Sequence, residues 1–378
     1  MAEIQGSCDS RFEEMQRILS ANLDSGADIG ASVAVVLDGE LVVDMWGGYT
    51  GPDRTSPWQS DTIVNVWSTT KTMMTLSALM CVDRGLIDPD APVARYWPEF
   101  AQNGKEGVLV RHLLGHTSGV SGWDQPVTLT DLYDWEASTA KLAAQAPWWE
   151  PGSASGYHAL NQGHLVGEVI RRVTGRKLGE FFAAEVAAPL GIDFHIGLAE
   201  SEFDRVATLT PPPPPPWDLT ALDPEMVVVK TFTGPVASVQ AVASPEWRQA
   251  DIGAANGHGN ARSVAMAQSA ISHGGVVSGT RLLSSDAIEE VFRVQAEGVD
   301  QVLMVPVKFG MGYGLPNETV PHLPNRKICF WGGYGGSQIV NDLDNNMTVT
   351  YVMNRMDEGL LGDVRGQSLV AAALAVVA

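Results

Sequence analysis

Cysteine and positive charge are both scarce in this 378-residue chain. Three cysteines, Cys8, Cys81 and Cys329, form an odd set at wide spacings. They supply neither a disulfide framework nor a CxxC metal knuckle, and they fit a reducing compartment. Lysine and arginine number 24 against 44 aspartates and glutamates, a formal net charge of −20. Nucleic acid and anionic membrane would both be repelled, and no basic run or basic-aromatic interleaving offsets this. Long apolar runs are missing too. The longest, Leu369 to Ala378, is about half the ~20 residues that span a bilayer. Met1 to Glu14 has no cationic segment followed by an apolar one, so no secretory signal is visible. The expectation is a soluble cytoplasmic protein with no nucleic-acid or membrane partner, equally compatible with a monomer and a homo-oligomer.

Several catalytic signatures are also absent. There is no G-x-S-x-G nucleophile elbow, and no H-E-x-x-H, Walker loop or helix-opening G-x-G-x-x-G. His112 and His116 stand four apart but have no third ligand at a suggestive spacing, so they read as structural. Neither a metal nor another cofactor is expected.

What the chain does contain is a globular composition, 45% hydrophobic and 18% charged with 11 tryptophans, enough apolar surface to offset the entropy of ordering. Its length predicts two structural units, or one core with a large insertion. Ser10-Arg11-Phe12-Glu13 reads as a capping box opening an amphipathic helix with Phe12, Met15, Leu19 and Leu23 on one face and Gly26 as its stop. Ser32 to Leu37 and Leu41 to Trp46 read as strands of a hairpin turning at Asp38-Gly39. Val66 to Val82, apolar on nearly every side, predicts a buried helix. From Asp88 to about Gly191 the pattern is mostly helical and holds no convincing hairpin. Pro211 to Pro216 predicts an extended polyproline segment, more simply a stiff spacer than a peptide ligand. Lys327 to Trp331, Gly336 to Asn341 and Met347 to Met353 read as closing strands before a terminal helix from Asp363. Strands at both ends with helices between them imply one sheet built from both termini.

The chemistry concentrates in Ser68-Thr69-Thr70-Lys71. Residues three apart share a helix face, so the Ser68 hydroxyl and Lys71 amine come within reach of each other. A serine is a weak nucleophile until a neighbour takes its proton, and a lysine buried among Met73, Met74, Leu76, Leu79 and Met80 loses its charge to desolvation and becomes a base. Two fixed residues in four recur by chance, and the bland alternative is a helix-capping serine beside a solvated lysine. The context favours catalysis. The motif opens a hydrophobic helix after the strand-like Thr62 to Val66, where backbone amides can also bind an oxyanion.

At this point the sequence resembles the serine β-lactamase-related superfamily, in particular class C β-lactamases and family VIII carboxylesterases. Besides Ser68 to Lys71, the resemblance rests on Leu113-Leu114-Gly115-His116-Thr117-Ser118-Gly119, Pro151-Gly152 leading to Tyr157, Asn256-Gly257-His258-Gly259 and Trp331-Gly332-Gly333. It implies an α+β fold of the β-lactamase/transpeptidase-like kind, an antiparallel sheet flanked by helices from both termini. Residues 1–85 and 192–378 would form the sheet-bearing domain and residues 86–191 a mostly helical inserted domain.

The resemblance also implies roles. Tyr157 would move protons with Lys71. The amides of Ser68 and Tyr334 would form the oxyanion hole. Trp331, Gly332 and Gly333 would bind substrate in place of the Lys-Thr-Gly of β-lactamases, whose lysine attracts the antibiotic's carboxylate. An indole there suits uncharged groups, and Ala159, in place of the Asn of a Tyr-x-Asn motif, removes an amide that would hold a lactam, with Asn161 as a possible substitute. His116, Thr117 and Ser118 would be a structural loop. The expected activity is cofactor-free hydrolysis of small, short-chain, uncharged esters through an acyl-Ser68 intermediate. A β-lactamase or D-Ala-D-Ala peptidase, an acyltransferase using the same acyl-enzyme, and a non-catalytic ligand-binding module are the alternatives. The joint retention of Ser68, Lys71 and Tyr157 argues against the last.

Overall fold

The computed structural model describes residues 3–214 and 218–378. Two strands near the amino end and three near the carboxyl end meet in one six-stranded antiparallel sheet, completed by a further edge strand. In chain order these are β1 (Ile4–Cys8), β2 (Gly30–Leu37), β3 (Glu40–Gly48), β4 (Ile328–Gly332), β5 (Gln338–Asp342) and β6 (Met347–Met353), and their order across the sheet is β1-β3-β2-β6-β5-β4. The β2–β3 turn needs positive φ at both central residues, and Asp38 and Gly39 have φ of 51° and 82°. β2 is buried along its whole length and pairs with β6 from Gly30 side to Leu37 side, Ala31 opposite Met353 and Leu37 opposite Met347. The two chain ends are thereby locked together.

Alternation along β6 assigns the helices to faces. Thr348 meets Ser272 of the helix Ala261–Ser272 through a 2.7 Å hydroxyl pair. Tyr351, on the opposite face, donates to Asp28 at 2.6 Å, and Asp28 also accepts from Arg365 of the terminal helix Val364–Val376 at 2.8 Å. That helix packs with the amino-terminal helix Glu13–Ser25. Gly26, in the left-handed region, stops the amino-terminal helix as expected. Its start differs from the sequence reading. Asp9, not Ser10, caps a 3-10 turn Ser10–Phe12 by accepting from the Arg11 amide at 3.0 Å. β1 also went unpredicted.

Residues 86–191 contribute helices, the longest being Gln162–Thr174, and among the described residues their strand pairing is limited to a single bridge between Pro92 and Leu109. Of the proline run, Pro211 to Pro214 carry neither helix nor strand, and Pro215 and Pro216 lie outside the described residues. No helix among the described residues is long and apolar enough to cross a membrane.

Candidate active site

The expected helix after Val66 begins with a 3-10 turn, Trp67–Thr69, that runs into the α-helix Thr70–Asp83. Ser68 therefore sits in the turn that precedes the α-helix. Trp67 has φ of 49°, the left-handed region that a bulky residue enters only when its surroundings enforce it. Here they do. The Val66 amide donates to the Gly257 carbonyl at 2.9 Å. The Thr70 hydroxyl donates to the Trp67 carbonyl at 2.5 Å and accepts from the Gly257 amide at 2.8 Å. Ser337 donates to the Val66 carbonyl at 2.9 Å and meets the Thr69 hydroxyl at 2.9 Å. The Trp67 ring is wedged between Trp247 and Tyr334, with centroids 5.7 and 5.6 Å away.

Ser68 Oγ lies 3.1 Å from Lys71 Nζ and 2.6 Å from the Tyr157 hydroxyl. Lys71 is 1% exposed, and burial pushes its amine well below the ordinary value of 10.5. In its neutral form, which burial favours, the amine has two N–H groups and one lone pair. The carbonyls of Ala159 at 2.8 Å and Ala254 at 3.0 Å accept from the amine, so an amine that has lost its extra proton turns its lone pair to the Ser68 hydroxyl. Tyr157 is buried, which raises its hydroxyl well above the ordinary value, and that protonated hydroxyl donates to Ser68 Oγ. With Lys71 neutral, every proton in the triad has one acceptor.

The amides of Ser68 and Tyr334 have no acceptor among the described residues. Gly333 brings the two segments together, because a side chain there would collide with the Val66 carbonyl. Ser68 and Tyr157 line a cavity of about 260 Å³ whose other walls include Trp67, Leu160, Phe232, Pro235, Val236 and Leu360. Among the described residues, Glu358 is its one charged wall residue and no Lys, Arg or His lines it.

Trp331 occupies a different place from the one its expected substrate contact requires. It is 1% exposed and does not line the cavity. The indole stacks on His116 (5.5 Å, 20°) and stands behind Tyr157 (5.9 Å). The reason is β4, whose residues are buried on both sides, so the indole faces the interior. Gly332 is likewise packed, against the Leu361 and Gly362 backbone. Asn161 does not stand in for the missing amide at Ala159. Its amide donates to the Val120 carbonyl at 2.8 Å, and its side-chain oxygen has no partner among the described residues.

His112 and His116 do not converge on a common point. His112 Nδ1 accepts from the Leu109 amide at 3.2 Å, and His116 Nδ1 from the His158 amide at 3.1 Å. Burial lowers both imidazoles, His112 to about 4. Ser118 meets His158 Nε2 at 2.6 Å. Sequence reasoning missed the Ala254 carbonyl, Trp67 and the walls Leu160 and Phe232. The first is a backbone atom, and the others carry no signal beyond being apolar.

A sequence-family model described as Beta-lactamase matches residues 15–373, and the chain belongs to that family. It is 33% identical over 362 residues to the esterase/beta-lactamase LipL of Mycobacterium tuberculosis, covering 93% of this chain and 83% of LipL. The crystal structure of a family VIII carboxylesterase superposes with a TM-score of 0.93 at 39% identity, over 99% of this chain and 100% of that one. A penicillin-binding protein homologue from Caulobacter crescentus gives a TM-score of 0.92 at 36% identity, again over 99% and 100% of the two chains. The fold is the β-lactamase/transpeptidase-like α+β fold.

Proposed function

We propose that this protein is a serine carboxylesterase that cleaves small, uncharged, short-chain esters. The observation that carries the reading is Ser68 Oγ set between the buried Lys71 amine at 3.1 Å and a phenolic hydroxyl at 2.6 Å, on the wall of an apolar cavity. Ser68 Oγ attacks the ester carbonyl as its proton passes to Lys71 Nζ, and the amides of Ser68 and Tyr334 take up the oxyanion. The C–O bond to the alcohol then breaks while Tyr157 or Lys71 protonates the departing oxygen. Water, deprotonated by the same pair, releases the acid and restores Ser68.

The absence of a cation among the described residues of the cavity wall favours neutral esters over β-lactams. A substrate carboxylate would meet no charge-assisted donor there and would face Glu358. The likeness to an esterase and to a carboxylesterase agrees with this ranking. The odd, widely spaced cysteines support a cytoplasmic enzyme, the acidic balance argues against a nucleic-acid or anionic-membrane partner, and residues 86–191 are taken as a helical domain inserted into the sheet-bearing one.

The test is burst kinetics with p-nitrophenyl butyrate. Ser68→Ala is expected to abolish the burst, and an unchanged burst would overturn the assignment. Faster turnover of a chromogenic cephalosporin than of short p-nitrophenyl esters would reverse the ranking of substrates.

A further inference from the structure

Tyr157 sits on a stretch of chain with neither helix nor strand, so something else must place it. Three successive amides there donate to partners remote in sequence. Gly156 donates to the His116 carbonyl at 2.9 Å, Tyr157 to Asp300 Oδ1 at 3.0 Å, and His158 to His116 Nδ1 at 3.1 Å. Asp300 is fully buried and follows the strand Ala296–Val299, which pairs with Pro306–Phe309. Its Oδ1 accepts two further backbone N–H groups, from Val302 and Leu303, both at 2.8 Å. Its Oδ2 has no partner among the described residues.

A buried acid with a bare oxygen is costly, and each such group in a native structure calls for an explanation. An asparagine would accept the same three N–H groups through its amide oxygen. What an acid can add over an asparagine is charge, here at the Tyr157 amide. We infer that Asp300 is a positioning residue that fixes Tyr157 against Ser68, and that its charge reserves Tyr157 for proton donation while Lys71 acts as the base. The inference rests on the acyl-serine reading above and divides the labour that reading leaves shared.

The groups facing Tyr157 support this division. Lys71 Nζ lies 4.8 Å from its ring centroid, and His116 and His158 pack beside it or next in the chain. Burial favours the uncharged form of all three. Trp331 is uncharged. Burial is the main cause holding the Tyr157 proton in place, and the Asp300 charge adds to it. As the Ser68 Oγ–carbon bond forms, the serine proton moves to Lys71. As the C–O bond to the alcohol breaks, Tyr157 gives its proton to that oxygen, and the Lys71 ammonium then restores it. The pair ends as it began, with no other reactant needed.

The test compares Asp300→Asn and Asp300→Ala with the wild type in p-nitrophenyl butyrate hydrolysis across pH, in the rate of Ser68 labelling by a fluorophosphonate, and in thermal melting. Asp300→Asn keeps the acceptor and removes the charge. It is expected to lower kcat about 10-fold with KM within about twofold, and to move the alkaline limb of the kcat profile to lower pH. Asp300→Ala removes both and should lower kcat and the labelling rate about 100-fold. If Asp300→Ala fails to fold, Asp300→Asn decides. A folded Asp300→Asn protein with wild-type kcat and pH profile, or one altered only in melting temperature or KM, overturns the inference. A wild type that labels with fluorophosphonate but cleaves no ester defeats the esterase reading alone. The labelling rates then still decide for Asp300, a slow variant supporting its role and an unchanged one refuting it.

Discussion

Gly333 lies against the backbone of Ser68: a Cβ built on it would stand 3.3 Å from the Ser68 nitrogen, 2.2 Å from the Val66 carbonyl oxygen and 2.3 Å from Ser337 Oγ. The end of β4 and the nucleophile turn approach more closely than any side chain permits, and that approach sets the spacing between the Ser68 and Tyr334 amides. Gly333→Ala must displace the Val66 turn, the Ser337 hydroxyl or both. Overpacking of this kind costs about 1–3 kcal/mol, and losing one donor from an oxyanion hole costs about 10²-fold or more in kcat. The expected result is a lower melting temperature with at least about a tenfold loss of kcat/KM on p-nitrophenyl butyrate. An unchanged kcat/KM would mean that the two amides do not act on one oxyanion.

Trp331 and Phe232 should separate support from substrate contact. Trp331 backs Tyr157 and His116 from the interior, whereas Phe232 is half-buried on the cavity wall. Trp331→Ala should destabilise the protein by about 3–5 kcal/mol, the usual cost of emptying a buried aromatic site, without changing the preference among acyl lengths. Phe232→Ala should cost much less stability and raise the ratio of kcat/KM for p-nitrophenyl octanoate over butyrate. The two ratios and two urea midpoints, measured side by side, check the assignment. A changed ratio in Trp331→Ala would return that residue to the substrate.

The legible parts of this protein are those in which chemistry and chain spacing coincide. Asp38-Gly39 announced its hairpin because both residues tolerate positive φ. Asp363 marked the last helix because its carboxylate caps it, accepting from the Arg365 amide at 2.8 Å. Ser68 and Lys71 were readable together because three helical positions bring them to one side. β1 was hidden because it is an edge strand, with Gln5, Gly6 and Ser7 exposed and only Ile4 and Cys8 half-buried, so no hydrophobic alternation is left to see. The direction in which Trp331 points depends on which face of β4 meets the interior, which residue type alone does not state. Tyr157 lies 89 residues from Ser68 and Asp300 another 143 beyond Tyr157. The first was reached only through the ordered motifs of a family, and the second had no motif to carry it.

Lys71 supplies a test in which stability and catalysis move with pH for the same reason. Its amine is buried without a carboxylate partner among the described residues, and desolvation holds it well below 10.5 in the folded chain. In the unfolded chain it is solvated and regains its ordinary value. Between the folded and unfolded values the unfolded chain therefore binds one more proton than the folded one, so this group makes the protein more stable as pH rises. The slope is at most about 1.4 kcal/mol per pH unit, reached where the folded amine is neutral and the unfolded one charged. Lys71→Met removes the term. Urea unfolding from pH 7 to 9 should then show the wild type gaining stability relative to Lys71→Met as pH rises. Activity has the same origin, since an ammonium has no lone pair to take the Ser68 proton. The wild-type kcat should fall as pH drops through the lowered amine value, and Lys71→Met should lose about 10²-fold or more at every pH. Parallel stability curves for the two proteins would mean that Lys71 stays charged in the fold, and the amine could not then be the base.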